Sequence, residues 1–421
     1  MDKNISRRSV LKYVAAGVAA TGVSSCAQLS EKPQSSKAIS GIKPVQDNWA
    51  NTHDRVWLGG EYWANPMEDW RVENGGAECI SRGGNRSVHS LTHQLGDFSK
   101  PFEISVVIQQ LENSTNDGGA GIRLGAKSEL NEYRSNCFVQ QGFDLGVKKN
   151  SLILGDKSAA LSDDVANKPI SLYLKAIPQL GAMALTLTAK LEGTNQVIGQ
   201  LTHIASIDEL RGNVALVSNF ALAAVEDKNP SENKLGSRYR FSHWTMQGEA
   251  FSVNEQQKFG PILWTMYTLS DTRSEDGFVM NLSALTGPMG EDDNHNITLQ
   301  INKGGEWTTI ATEALDTDAW VATFRVPNWN EKSATEYRVV YLEKQRDGSD
   351  KPDVYSGTIQ ANPVGRKMRM ASLTCQNDYA FPYAPVVNNV VNMKPDLVFF
   401  SGDQLYESHG GFGVIRAPAG A

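Results

Sequence analysis

The chain has no excess of positive charge. It contains 40 lysine and arginine residues against 47 aspartate and glutamate residues, which gives a formal net charge of −7. Proteins that bind nucleic acids or other polyanions normally present a basic face. The charge balance therefore argues against a nucleic-acid-binding surface, and an anionic group would have to be bound locally.

Long helical periodicity and internal repeats are also lacking between residues 49 and 248. Short alternating segments, such as residues 102–108 and 182–189, are instead separated by clusters of Gly, Asn, Asp and Pro. This pattern is typical of β-strands and turns, and about 200 residues suit one large sandwich. The Gly-Gly turns, the Trp-rich start and the last strand resemble a concanavalin-like or laminin-G-like jelly roll, which we assign to residues 49–250.

A second, smaller β domain is predicted for residues 258–364. Residues 297–310 are typical of a hairpin whose Gly-Gly turn provides the positive φ that such turns need. Residues 337–342 and 354–359 continue the alternation. About 100 residues with strands at this spacing suggest an immunoglobulin-like or fibronectin-III-like sandwich.

Aromatic residues are concentrated at the start of the larger β domain, at Trp57, Tyr62, Trp63 and Trp70. Aromatic rings can stack on sugars while their polar edges form hydrogen bonds. The alternative is that these rings pack in the core and rim of the sandwich. We favour packing, because a fold does not imply a function.

The amino terminus has the features of an export signal. Residues 6–12 (SRRSVLK) precede an apolar stretch, 13–23, that is too short to span a bilayer. This pattern fits a twin-arginine signal, and the sequence before Cys26 resembles a lipoprotein processing box. We therefore predict a signal at 1–26 with lipidation at Cys26, a flexible tether at 27–48, and a membrane-anchored lipoprotein that faces the periplasm or the cell exterior.

The carboxyl-terminal part has a different pattern. Residues 368–373 predict a short strand, 382–393 a helix and 397–400 a strand buried on both faces. Together they predict a β-α-β unit with a right-handed crossover, hence two parallel strands. Cys375 and Asp403 should then emerge side by side at the carboxyl ends, where open α/β sheets bind ligands.

These positions carry metal-ligand chemistry. The Asp403 carboxylate can bridge two cations, and the Tyr406 phenol, three residues on, can reach the same centre. With the thiolate of Cys375 they would suit ferric iron beside an oxygen-liganded ion such as calcium. The alternatives are that the cysteine is a small buried hydrophobe and that Gly-Asp is only a turn. His409 is either a loop residue or a substrate contact.

Residues 372–379 (SLTCQNDY) and 395–407 (PDLVFFSGDQLYE) resemble the start of the PhoD-like alkaline phosphatase family, within the calcineurin-like metallophosphoesterases. The resemblance implies a ferric ion bound by Cys375 and Tyr406, and Asp403 as a catalytic residue that bridges iron to calcium. It implies hydrolysis of phosphate mono- or diesters. Such enzymes often carry a small β domain directly before the catalytic one, as predicted here.

The resemblance covers only residues 367–421, the predicted start of a metallophosphoesterase domain. The family's later ligands, an Asn-His pair and further His and Asp residues, have no counterpart, and only one of the seven histidines lies beyond Cys375. We therefore expect an incomplete domain, active in the full-length protein but not in these 421 residues. The alternative function is a surface lipoprotein that binds carbohydrate or another polymer without catalysis.

Two smaller features are predicted as well. The acidic residues 291–294 lack the alternating ligands of a calcium loop and favour a solvated loop. Cys79 and Cys137 could form a disulfide in an exported protein, but folding in a reducing cytoplasm before export would leave less opportunity. The sequence leaves this pairing open.

Overall fold

The computed structural model describes residues 45–114, 116–127, 141–220, 235–375 and 383–403. These residues are mostly in β-strands, as the alternating pattern predicts. No helix among them is long and apolar enough to cross a membrane. They form two β-sandwiches followed by a small β-α-β unit.

The first sandwich contains two antiparallel sheets around one core. Its strands, with a short helix α1 and three 3-10 turns, are β1 Val45–Gln46, β2 Tyr62–Asn65, β3 Trp70–Glu73, β4 Gly76–Cys79, β5 Arg86–Leu95, β6 Phe102–Gln110, β7 Ala120–Ala126, β8 Phe143–Lys148, β9 Ser151–Leu154, β10 Lys157–Ala160, β11 Ile170–Gln179, β12 Ala182–Leu191, β13 Val197–Ser206, α1 Ile207–Leu210, β14 Gly212–Ser218, β15 Tyr239–Gln247 and β16 Phe251–Val253, the turns being Trp49–Asn51, Met67–Asp69 and Glu255–Gln257.

One sheet has the order β13-β12-β11-β6-β15-β4-β3, with β1 beside β15. The other has the order β10-β9-β8-β7-β14-β5-β16, with β2 beside β5. Alternate residues of β6 and of β12 are buried, because successive side chains of a strand point to opposite faces of a sheet. The core between the two sheets thus follows directly from the alternation in the sequence.

The first sandwich begins before residue 49. Val45 pairs with Met246 of β15, and the Asp47 carboxylate accepts hydrogen bonds from the backbone N–H groups of Trp49 and Trp244. The last residues of the predicted tether, 45–48, therefore belong to the folded domain. A short segment between polar residues gave no alternation long enough to predict this strand.

The second sandwich consists of a three-stranded and a four-stranded antiparallel sheet. Its strands are β17 Ile262–Asp271, β18 Phe278–Thr286, β19 Asn296–Lys303, β20 Glu306–Ala314, β21 Val321–Val326, β22 Thr335–Lys344 and β23 Asp350–Ile359. The sheets have the orders β17-β18-β21 and β20-β19-β22-β23. Buried apolar side chains of both sheets, such as Phe324 and Val339, form a separate core.

The two sandwiches are joined by a buried charged group. The Arg55 guanidinium, from the segment before β2, contacts Glu343 Oε1 at 2.6 Å and Asp293 Oδ1 at 3.4 Å, and all three side chains are buried. Trp57 packs into the second core beneath the same guanidinium. The prediction of a solvated loop at 291–294 is therefore wrong for Asp293, because this carboxylate neutralises Arg55.

The β-α-β unit comprises β24 Met370–Leu373, α2 Ala384–Met393 and β25 Leu397–Phe400. The two strands pair in parallel, from Met370 beside Leu397 to Leu373 beside Phe400. The helix begins two residues later than the pattern predicts, because Tyr383 takes a left-handed conformation at its amino end. All four residues of β25 are exposed, so the prediction of a strand buried on both faces is wrong for the part of the chain that the structure describes.

Candidate functional site

A charged clamp sets the register of the β-α-β unit at the start of its strands. Arg366 makes two hydrogen bonds to the Asp396 carboxylate, at 2.7 and 2.6 Å. The backbone N–H of Arg369 donates to the same carboxylate at 2.8 Å. The side-chain hydrogen bonds from Arg366 hold the pKa of Asp396 well below its usual range. The clamp lies at the amino ends of the strands, opposite to the predicted site.

Cys375 and Asp403 meet at the carboxyl ends of these strands. The Cys375 thiol donates to Asp403 Oδ2 at 3.6 Å, and the Cys375 backbone N–H donates to the Gly402 carbonyl oxygen at 3.2 Å. Both side chains are exposed. Two residues 28 positions apart are thus brought together by the parallel pairing.

The backbone at this meeting point has an unusual conformation. Cys375 and Asp403 have φ values of 51° and 56°, and Gly402 has a φ of 117°. Positive φ is uncommon for residues other than glycine, and such residues cluster at functional sites. Apart from its chain neighbours, no described residue has an atom within 4 Å of a Cβ built on Gly402, and its positive φ favours glycine there.

The spacing of the two side chains fits shared metal coordination. With the bond lengths of zinc as a guide, about 2.3 Å to sulfur and about 2.0–2.2 Å to oxygen, two ligands of one ion lie roughly 3–3.6 Å apart. The observed separation of 3.6 Å lies at the upper end of that range. The predicted ligand Tyr406 and the predicted contact His409 lie outside the described residues. Within the described residues, no group of three or more His, Cys, Asp or Glu side chains is placed to hold a metal ion.

Three of the four residues of the aromatic cluster lie in the packing of the sandwiches. Trp57, Tyr62 and Trp70 are buried, and the ring centroid of Trp63 lies 5.7 Å from that of Phe259. Buried rings offer no face on which a sugar could stack. The packing alternative therefore describes Trp57, Tyr62 and Trp70, whereas Trp63 is half-buried.

Cys79 is a buried thiol in β4. Its Sγ donates to the Ser81 carbonyl oxygen at 3.3 Å, and burial raises its pKa to about 12. A thiol in such surroundings is a poor nucleophile. Its possible partner Cys137, like the predicted lipidation site Cys26, lies outside the described residues.

A cavity of about 240 Å³ lies at the junction of the two sandwiches. The first sandwich contributes Asn48, Glu61 and His93 to its lining, and the second contributes Lys351 and Asp353. We name it the junction cavity. Sequence reasoning did not find it, because its residues are spread over some 300 positions and share no motif.

A close backbone approach forms one edge of the junction cavity. The Phe259 backbone N–H donates to the Gly60 carbonyl oxygen at 2.7 Å. A Cβ at Gly60 would lie only 2.5 Å from the Gly260 carbonyl oxygen. Glycine is therefore required at Gly60 for the two chain segments to meet.

The acidic groups of the junction cavity are already paired. Glu61 lies 3.4 Å from Lys258 and 3.3 Å from Lys351. Burial opposes ionisation of Glu61, but the two ammonium groups outweigh it and lower its pKa. Asp353 accepts a hydrogen bond from the Ile262 backbone N–H at 2.9 Å, and burial raises its pKa.

No protein-family model matches the chain, and no curated protein matches it. Among solved structures, the metal-free exoplasmic/lumenal domain of VIP36 is similar with 9% identity and a TM-score of 0.31, covering 48% of this chain and 92% of that one. Peanut lectin is similar with 8% identity and a TM-score of 0.32, covering 49% and 98%. The VIP36 domain with Ca²⁺ and mannose bound has 11% identity and a TM-score of 0.29, covering 44% and 81%.

Proposed function

We propose that this chain carries part of a metal-dependent phosphoester hydrolase site, at the carboxyl ends of β24 and β25. The observation that supports it is the 3.6 Å contact between the Cys375 sulfur and Asp403 Oδ2. The positive φ values of both residues support it further, since the fold holds an uncommon backbone there. The short second sandwich directly before the unit agrees with the order of domains that the PhoD-like resemblance implies.

Each residue has a distinct role in this proposal. Cys375, as a thiolate, and Tyr406 would hold a ferric ion, and the Asp403 carboxylate would be a ligand of iron and of calcium. Bound ions of this kind polarise a phosphoryl oxygen and lower the pKa of a bound water. The chain itself holds the two ligand side chains at a fixed spacing and leaves them exposed, so that a phosphate mono- or diester can approach.

The proposed function includes export before activity. A twin-arginine signal exports folded proteins, so the protein would bind its metal in the cytoplasm before export. The ions available there, and not only the affinity of the site for each ion, then decide which metal is bound. Lipidation of Cys26 would then attach the protein to a membrane, where more than one acyl chain is needed for stable anchoring. Mass spectrometry of the mature amino terminus tests this: a diacylated Cys26 is expected, and an unmodified one would contradict it.

Hydrolysis is tested with Asp403→Asn in the full-length protein. We expect this change to abolish both release of nitrophenol from nitrophenyl phosphate esters and retention of metal. Asp318→Asn is the matched control, because Asp318 is an exposed aspartate of the second sandwich and makes no contact that holds the β-α-β unit. Equal activity of the Asp403→Asn variant and the wild-type protein would refute the assignment.

A second candidate function is carbohydrate binding by the sandwiches. The lectins among the similar structures have TM-scores near 0.3, which is too low to transfer a function. The observation that favours this candidate is the junction cavity, whose lining includes polar groups such as those of Asn48, Glu61 and His93. Binding of the protein to a glycan array tests it, and an array without any bound glycan would exclude it.

A further inference from the structure

We infer that the junction cavity binds one neutral, hydroxyl-rich ring of monosaccharide size, and that His93 is the buried side chain that recognises it. This inference rests on the second candidate function, carbohydrate binding, and gives it a site.

The size of the junction cavity limits the ligand. A volume of about 240 Å³ corresponds to roughly eight waters at about 30 Å³ each. It is somewhat smaller than the pockets of about 300–1,000 Å³ that hold drug-sized ligands. A single sugar ring fits this range, whereas a longer oligosaccharide would have to extend outside.

The charges of the junction cavity favour a neutral ligand. Its lining contains four acidic residues (Glu61, Glu255, Glu343 and Asp353) and three basic ones (Arg55, Lys258 and Lys351). Most of these are paired with one another, as Glu61 is with both lysines and Glu343 with Arg55. A phosphate or a metal ion would have to break such ion pairs. The hydroxyl groups of a neutral ligand can instead accept hydrogen bonds from the cations and donate hydrogen bonds to the carboxylates while the ion pairs stay intact.

His93 has one hydrogen-bonding atom without a protein partner. It is 1% exposed. Its Nδ1 is 2.8 Å from Thr92 Oγ1, while its Nε2 has no hydrogen-bond partner among the residues that the structure describes. A buried polar atom without a partner costs about 1–3 kcal/mol, and such atoms are uncommon in folded proteins. A ligand hydroxyl in the junction cavity would satisfy it.

The position of His93 is fixed by its surroundings. It lies in β5, where it pairs with Val253 of β16. Its ring meets that of Phe251 edge-on, at 6.2 Å between centroids. A side chain held in this way is preorganised, so little conformational entropy is lost when a ligand binds.

Part of the wall of the junction cavity belongs to the second sandwich. Lys351 and Asp353 of β23 complete the lining there. A ligand in the junction cavity therefore contacts both sandwiches at once. Its binding should stabilise the two domains against thermal unfolding together.

The experiment is calorimetric titration of the full-length protein with neutral monosaccharides, one at a time, at millimolar concentration. We expect at least one of mannose, galactose, glucose or N-acetylglucosamine to bind. His93→Gln should weaken that binding at least tenfold. His203→Gln, on β13 of the same sandwich, is the matched control and should leave it unchanged.

A second variant keeps the inference testable if the first variant does not fold. Lys351→Gln changes a half-exposed side chain on the part of the wall from the second sandwich and should also weaken binding several-fold, without loss of folded protein. Unchanged affinity in both variants would overturn the inference, even if the glycan array shows that carbohydrate binds elsewhere. Failure of every monosaccharide to bind would also overturn it and would leave water as the partner of His93. A glycan array without signal, by contrast, would refute carbohydrate binding as a whole.

Discussion

The sandwiches and the β-α-β unit differ in the burial of their apolar side chains. In the sandwiches, alternate strand residues lie in a closed core, and Phe324 is fully buried. In the β-α-β unit, Phe399 is 53% exposed and so are its neighbours in β25. Parallel strands are normally covered on both faces. The sandwiches are therefore stabilised by their own cores, whereas the described part of the unit depends on backbone pairing and the Arg366–Asp396 clamp.

This difference also separates the two candidate sites. The proposed metal site lies on the exposed unit, where the two side chains meet through the pairing of the strands. The junction cavity lies between closed cores, where buried charges hold the walls. The first site should be sensitive to local changes in the unit, and the second to changes at the contact of the sandwiches.

The largest effect is expected from Arg55→Met. This change leaves the buried carboxylates of Asp293 and Glu343 without their cation, which typically costs about 3–5 kcal/mol. Chemical denaturation should show the loss. The control is Arg346→Met, because Arg346 makes an exposed ion pair at the same junction, with Asp54, and removing such a pair costs at most about 1 kcal/mol. Equal losses in the two variants would contradict the buried role of Arg55.

A pair of phenylalanine changes tests the difference in burial directly. Phe324→Ala should lower the free energy of unfolding by about 3–5 kcal/mol, because it leaves a cavity in a closed core. Phe399→Ala should change it by no more than about 0.5 kcal/mol, as is usual at surface positions. Denaturant titration of both variants measures the two values. Similar losses would show that Phe399 is buried in the native protein.

A smaller effect is expected from acid, and it should come from the first sandwich. Burial lowers the pKa of His89 from 6.5 to about 3. Between these values the unfolded chain binds a proton that the folded chain does not, so stability falls as the pH drops. The loss from His89 should be about 2 kcal/mol at about pH 5. His89→Gln should flatten this dependence, and a slope that stays unchanged would contradict it.

The smallest and most local effect is expected at the clamp. Arg366→Gln removes two hydrogen bonds to Asp396, and the unit should open more often without affecting either core. Hydrogen exchange of the amides in β24 and β25 should speed up, while exchange in β12 stays the same. Because the pKa of Asp396 is lowered in the folded chain, the same opening should occur in the unchanged protein as falling pH protonates this carboxylate. Unchanged exchange would show that the clamp does not stabilise the unit.

The alternation of apolar residues and the order of strands and helices along the chain could be recognised in the sequence. Alternation predicted the β domains, and the rule that parallel strands end at one edge of a sheet predicted the meeting of Cys375 and Asp403. The ion pairs of Arg55 and the lining of the junction cavity could not be predicted. They depend on contacts between residues some 240 to 300 positions apart, which leave no local signature. The burial of Trp57 in the second core likewise follows from how the two domains meet.

The central claim is that Cys375 and Asp403 bind one metal centre. The most direct test is elemental analysis of the full-length protein, purified unchanged and as Cys375→Ser and Asp403→Asn, with Asp318→Asn in the second sandwich as the control. The account predicts iron and calcium in the unchanged protein and in the control, with iron lost from Cys375→Ser and both metals lost from Asp403→Asn. Equal metal content in all four proteins, or none in any, would contradict it.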